Sequence, residues 1–168
     1  MLGCSVLAEQ SAAAGTAKQA GKSPLKVFIL AGQSNMQGQG TLEAKDKDGK
    51  ECKGTMRYLL SDPAKAPLIQ HLVDAKGNWA EVRDDVWVYD INEFGTLHGP
   101  LSFGYGWNLG DMTWAGRNPT WFGPELQFGH LMGNRFAEQV LIIKTAWGGR
   151  SLDVDFRPPG SGGTVGPL

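Results

Sequence analysis

Hydrophobic positions in this chain concentrate in three short runs separated by long mixed stretches. Lys26 to Ala31 (KVFILA) is a continuous apolar run rich in branched residues. That pattern predicts a strand covered on both faces, as in a parallel sheet. Asp85 to Tyr89 (DVWVY) predicts a second strand, and Gln139 to Lys144 (QVLIIK) a third. Between these two, Pro124 and Glu125 suit the first turn of a helix. Leu126, Phe128, Leu131, Met132 and Phe136 follow at approximately helical spacing, and Gly129 and Gly133 permit close packing. Residues 41–84 mix charged stretches with apolar patches, and Asp62 to Leu68 is interrupted by two prolines. Residues 95–123 are Gly- and Trp-rich with little periodicity, which predicts a loop that lines a site. Strand–loop–helix–strand order predicts an α/β sheet with right-handed crossovers. Ligands then bind at the carboxyl ends of the strands. The Gly-rich turns at 32–38 and 146–151 both leave such ends, so they are expected to share one crevice.

Composition narrows the picture. The 168 residues suit one domain with a substantial core. Sixteen basic residues balance 17 acidic ones, net −1, so no electrostatic footprint for nucleic acid or anionic lipid appears. Glycine (24) and proline (9) form about a fifth of the chain, which implies many loops. No window approaches the roughly 18 apolar residues of a membrane span. Cys4 and Cys52 allow one disulfide at most and exclude a thiolate metal cluster. The six tryptophans suit a carbohydrate-facing surface or a core.

Residues 1–25 read as leader and linker, and 26–168 as the domain. Met1 to Ala14 lacks Lys and Arg, and Val6-Leu7-Ala8 suits a cleavage site. The stretch resembles the end of a secretory signal without its basic start, so a secreted or periplasmic location is expected. A leader with no address is the alternative. Gly15 to Ser23 is not a phosphate-binding loop: five residues separate its glycines, and it precedes the first strand.

Candidate chemistry centres on Ser34. A serine at a strand-to-helix turn sits among backbone N–H groups that can stabilise an oxyanion, and the glycine before it allows close approach of substrate. Gly32-Gln33-Ser34-Asn35 has this order. It is not the Gly-x-Ser-x-Gly elbow, because Met36 takes the last glycine position. On spacing alone Ser34 is either a nucleophile or a helix cap. Asn35 is a candidate to hold the turn through side-chain bonds to backbone.

Three stretches together carry a family resemblance: Val27 to Gly40 (VFILAGQSNMQGQG), Phe122 to Phe128 (FGPELQF) and Lys144 to Leu152 (KTAWGGRSL). They resemble the SGNH/GDSL hydrolase superfamily, in the sialate O-acetylesterase-like branch with the carbohydrate esterase family 6 acetylxylan esterases. The resemblance implies a flavodoxin-like three-layer α/β/α sandwich with a mostly parallel sheet. It implies removal of O-acetyl groups from carbohydrates with no cofactor and no metal. Ser34 would be the nucleophile, and its N–H with that of Gly148 or Gly149 the oxyanion hole. Gln33, Asn35 and Glu125 would bind substrate or support the site.

The superfamily's base is a His in a late Asp-x-x-His motif. His71, His98 and His130 have Leu68, Gly95 and Gln127 at the Asp position, so none matches. The chain is therefore expected to be the N-terminal part of a longer member, truncated at the C-terminus, with His98 a weak substitute. A non-catalytic carbohydrate-binding domain and an inactive fragment are the rival readings. Asp153 and Asp155 are candidate rim residues, Arg150 a candidate contact to a sugar or an acidic group, and Trp107, Trp114, Trp121 and Trp147 candidate sugar platforms.

Overall fold

The computed structural model describes residues 24–80, 82–107 and 120–162. Trp114 and the leader through Ser23 lie outside these residues. Strands β1 (Lys26–Gly32), β3 (Val82–Asn92), β4 (Gly95–Ser102) and β6 (Val140–Ala146) form one sheet in the order β1-β6-β3-β4. β1, β6 and β3 run parallel and β4 antiparallel. A small ribbon joins β2 (Gly40–Thr41) to β5 (Trp121–Phe122). The helices are α1 (Ser34–Gln37), α2 (Met56–Leu60), α3 (Ala66–Ile69) and α4 (Glu125–Arg135). This is the α/β class and the mostly parallel sheet that the apolar runs predict, consistent with a flavodoxin-like fold.

Helix α4 lies across the sheet. Phe128, Met132 and Phe136 pack on a core that includes Val86, Val88, Val140 and Ile142. The Phe28 and Phe128 rings meet edge to face at 5.3 Å. The absence of a side chain at Gly129 is what permits this approach. A Cβ there would lie 2.5 Å from Leu101 Cδ2 and 3.1 Å from Ile142 Cδ1. Arg83 ties the far end of α4 to β3, donating to the His130 carbonyl at 3.1 Å and to Asn134 Oδ1 at 2.7 Å. Leu131 is exposed and does not join the core face. Leu126 faces the other way, into a second cluster with Leu42, Met56, Ile69, Leu72 and Phe103.

Several elements differ from expectation. The stretch 95–123 is not loop throughout. After a tight turn at Glu93-Phe94, β4 pairs antiparallel with β3, and Asn92 Oδ1 accepts from Phe94 N–H at 2.9 Å. Gly95, Gly99 and Pro100 obscure its alternation in the sequence, yet Leu97, Gly99 and Leu101 all turn inward. Within 62–68, Pro67 stands in the first turn of α3, where it stops nothing. β1 is an edge strand, and among the described residues its outward face is open, with Ile29 68% exposed. Full burial on both faces therefore does not hold for β1. Trp87 and Tyr89 of β3 continue the same open face.

The two faces should respond differently to substitution. Ile142→Ala is expected to cost about 2–5 kcal/mol, whereas Ile29→Thr should stay within roughly 0.5 kcal/mol. Urea unfolding of both variants checks this, and equal losses would contradict the assignment of faces.

Candidate active site

Parallel pairing brings the carboxyl ends of β1, β6 and β3 to one edge. Gly32 pairs with Ala146, and Trp147 N–H donates to the Gly32 carbonyl at 3.1 Å, extending the β1–β6 ladder. The turn carrying Ser34 and the double-glycine bend of Gly148 and Gly149 thus leave neighbouring strands side by side, as expected of a shared crevice. Ser34 is the first residue of α1 and is half-buried. The residue capping the helix is Gln33, through backbone alone: its carbonyl accepts from Met36 N–H at 2.8 Å and Gln37 N–H at 2.9 Å. Ser34 is therefore not a side-chain cap. α1 is a single turn, so its macrodipole is small; the useful donors are the first N–H groups of the turn, which have no intrahelical acceptor. Asn35 is exposed and makes no side-chain bond among the described residues, so it does not brace the turn.

Below this turn lies a buried ion pair. Lys144 Nζ and Glu125 Oε2 are 2.8 Å apart, both side chains 0% exposed. The ammonium also donates to the Gln37 carbonyl at 2.7 Å and to the Tyr105 carbonyl. Glu125 Oε1 accepts from Gly123 N–H at 2.8 Å. Gly38 and Gly123 meet backbone to backbone, since a Cβ on Gly38 would lie 2.0 Å from Gly123 Cα. Gly38 also has φ of 86°, a conformation that favours glycine. All three sequence stretches meet here. Glu125 faces inward and is fully buried against Lys144 and Gly123.

Above the pair stand residues that sequence reasoning missed. Gln37, 2% exposed, donates through Nε2 to Glu93 Oε2 at 2.6 Å. Glu93 Oε1 also accepts from Gly148 N–H at 3.2 Å. Asp90 is buried on β3 in register with Lys144, and Asn92 Nδ2 donates to its Oδ2 at 3.2 Å. Burial pushes the Asp90 carboxyl up to about 7 against the pull of the Lys144 ammonium, and the charges of Glu125 and Glu93 add to the rise. The alternation of β3, with Asp90 and Asn92 on its buried face, was the available signal.

None of the three histidines stands at Ser34. His98 stacks on Tyr89 at 5.8 Å, across the sheet from β1 on β4, so it is no substitute base. His130 packs against His71 at 4.7 Å, and its carbonyl is held by Arg83 at the opposite end of β3. Burial pushes His130 down to about 4 and lowers His71 as well. Arg150 pairs with Asp155 at 3.2 Å on the surface, and Asp153 faces Arg157 at 3.6 Å. Trp107 and Trp121 stack on each other at 5.6 Å, and Trp147 meets Phe156 at 6.0 Å. Among the described residues no three His, Cys, Asp or Glu side chains gather as a metal site. Nor is any helix among them long and apolar enough to cross a membrane.

Two outcomes follow from the buried charges. Lys144→Met leaves Glu125 buried without its counter-charge and should cost about 3–5 kcal/mol. Replacing both partners by Met and Leu should cost less, as chemical denaturation would reveal. Asp90 titrates higher folded than its ordinary 3.8, so its stabilising contribution is complete below that value and is lost as pH rises towards 7. Asp90→Asn should therefore gain on wild type across this window. A stability difference flat with pH would refute it.

A family model described as carbohydrate esterase, sialic acid-specific acetylesterase, matches residues 24–163. No curated protein and no solved structure matches the chain. The family match runs from the start of β1 past the double-glycine bend, and the chain belongs to the carbohydrate esterase, sialic acid-specific acetylesterase family.

Proposed function

We propose that this chain carries the nucleophile of a carbohydrate O-acetylesterase, and that the nucleophile is Ser34. Its Oγ attacks the acetyl carbonyl, and the electron pair moves onto the carbonyl oxygen. Backbone N–H groups of Ser34 and of the double-glycine bend receive that negative charge. Collapse breaks the bond to the sugar oxygen, which takes up, through solvent, the proton that Ser34 Oγ lost, and leaves an acetyl-serine that water hydrolyses to acetate and free Ser34. The supporting observation is the adjacency of the two turns on β1 and β6, which brings a half-buried serine beside a glycine bend. Membership of an acetylesterase family supports acetylated carbohydrates as the substrate class.

The reaction needs an acceptor for the Ser34 proton. Among the described residues no histidine stands there to take that proton or, later, the proton of the attacking water, so turnover by this chain should be slow. An activated ester with a good leaving group still acylates Ser34, and the alkyl ester so formed is hydrolysed more slowly. An acetyl group is therefore expected to accumulate on Ser34 when the chain meets p-nitrophenyl acetate. Peptide mass spectrometry would locate it, and Ser34→Ala should abolish it. Acetylation confined to lysines, or p-nitrophenol release unchanged in Ser34→Ala, would overturn the assignment. The same lack of a histidine favours a second reading, sugar binding without turnover. Calorimetric binding of an acetylated xylo-oligosaccharide that survives Ser34→Ala, with no acetyl-serine formed, would favour it.

A further inference from the structure

The Glu93 carboxylate bridges two elements that are far apart in sequence. One oxygen takes the Gln37 amide from the end of α1, and the other takes the Gly148 N–H from the bend after β6. Its own turn does not depend on it, because Asn92 Oδ1 already holds Phe94 N–H. Gln37 is pinned from the other side by Lys144 at its carbonyl. A Cβ on Gly148 would lie 2.9 Å from Gln37 Oε1 and 3.2 Å from Glu93 Oε1, so both side-chain ends stand against the bend. Gly149 differs: nothing stands within 4 Å of its Cβ position. Its N–H has no acceptor among the described residues.

An N–H engaged by a carboxylate is a poor donor to a second anion beside it. We propose that Glu93 is a positioning residue, which locks the double-glycine bend to the Ser34 turn and leaves Gly149 N–H, not Gly148 N–H, to the acyl oxygen. This rests on the reading of Ser34 as nucleophile. Glu93 touches no reacting atom. It acts by holding Gly148, and through Gly148 the next peptide.

The full chain, E93Q and E93A are compared in two ways. The first is independent of chemistry at Ser34. In amide-resolved NMR, both variants should shift the Gly148 N–H and the Gln37 side-chain amide and speed Gly148 hydrogen exchange at least about tenfold, with helix content unchanged. E93Q should share this defect, because a carboxamide cannot accept from both donors through its two ends. Unmoved Gly148 and Gln37 signals would overturn the proposal.

The second is labelling of Ser34 by excess fluorophosphonate, followed by mass spectrometry. Wild type should label at Ser34, and both variants at least about tenfold more slowly. In the labelled wild type the Gly149 amide resonance should move and that of Gly148 should stay. Labelling of the variants at the wild-type rate, or movement of Gly148 in place of Gly149, defeats the positioning role alone. Absence of label on wild type defeats the nucleophile and, with it, this role.

Discussion

The Lys144 ammonium has three protons and three acceptors around it: the Glu125 carboxylate, the Gln37 carbonyl and the Tyr105 carbonyl. With two carbonyls accepting from it and the Glu125 carboxylate as its counter-charge, the ammonium can sit fully buried in the middle of the fold. The arrangement joins β6, α4, the end of α1 and the segment after β4 at one point. Two of its acceptors are backbone, so the charge holds main chain as well as side chain. The Ser34 turn is only four residues long and could not persist alone. Its geometry is borrowed from this ion pair below it and from the Gly38–Gly123 contact beside it.

From that anchor the site follows in layers. Parallel pairing of β1, β6 and β3 delivers three loop starts to one edge, each bringing different chemistry. β1 brings a hydroxyl, β6 a glycine bend with an open amide at Gly149, and β3 the carboxylates of Asp90 and Glu93. A carbohydrate esterase needs a nucleophile and fixed donors for the charge that develops on the acyl oxygen, and the edge has candidates for both. The histidines serve packing instead. His130 on α4 meets His71 edge to face, and His98 lies on Tyr89. Burial keeps His130 neutral at ordinary pH, which suits an apolar contact and not proton transfer at a distant serine.

Much of the fold was legible in the chain because its signals are local. β1, β3, β6 and α4 announce themselves through apolar runs and helical spacing, and each observed element contains or nearly matches the predicted one. β4 was hidden, since Gly95, Gly99 and Pro100 break the alternation that a pairing partner restores. Leu131 fits the apolar stripe of α4 by spacing yet faces solvent. The stripe is wider than the surface the sheet offers it. The open face of β1 was equally invisible, because a run of branched residues says how well a strand could be covered, not what covers it.

The amino-acid order by itself determined the α/β class, the three main strands, the long helix and the family, through Gly-Gln-Ser-Asn-Met, Gly-Pro-Glu and the Lys-Thr-Ala-Trp-Gly-Gly stretch. These depend on near neighbours: side-chain periodicity and backbone freedom act over a few residues. Only the tertiary structure decided that Lys144 meets Glu125, that Glu93 reaches both Gln37 and Gly148, and that Asp90 lies buried beside them. Such partners stand up to 56 residues apart in the Gln37–Glu93 case. No local preference encodes their meeting; strand order does, by bringing three carboxyl ends to the same edge.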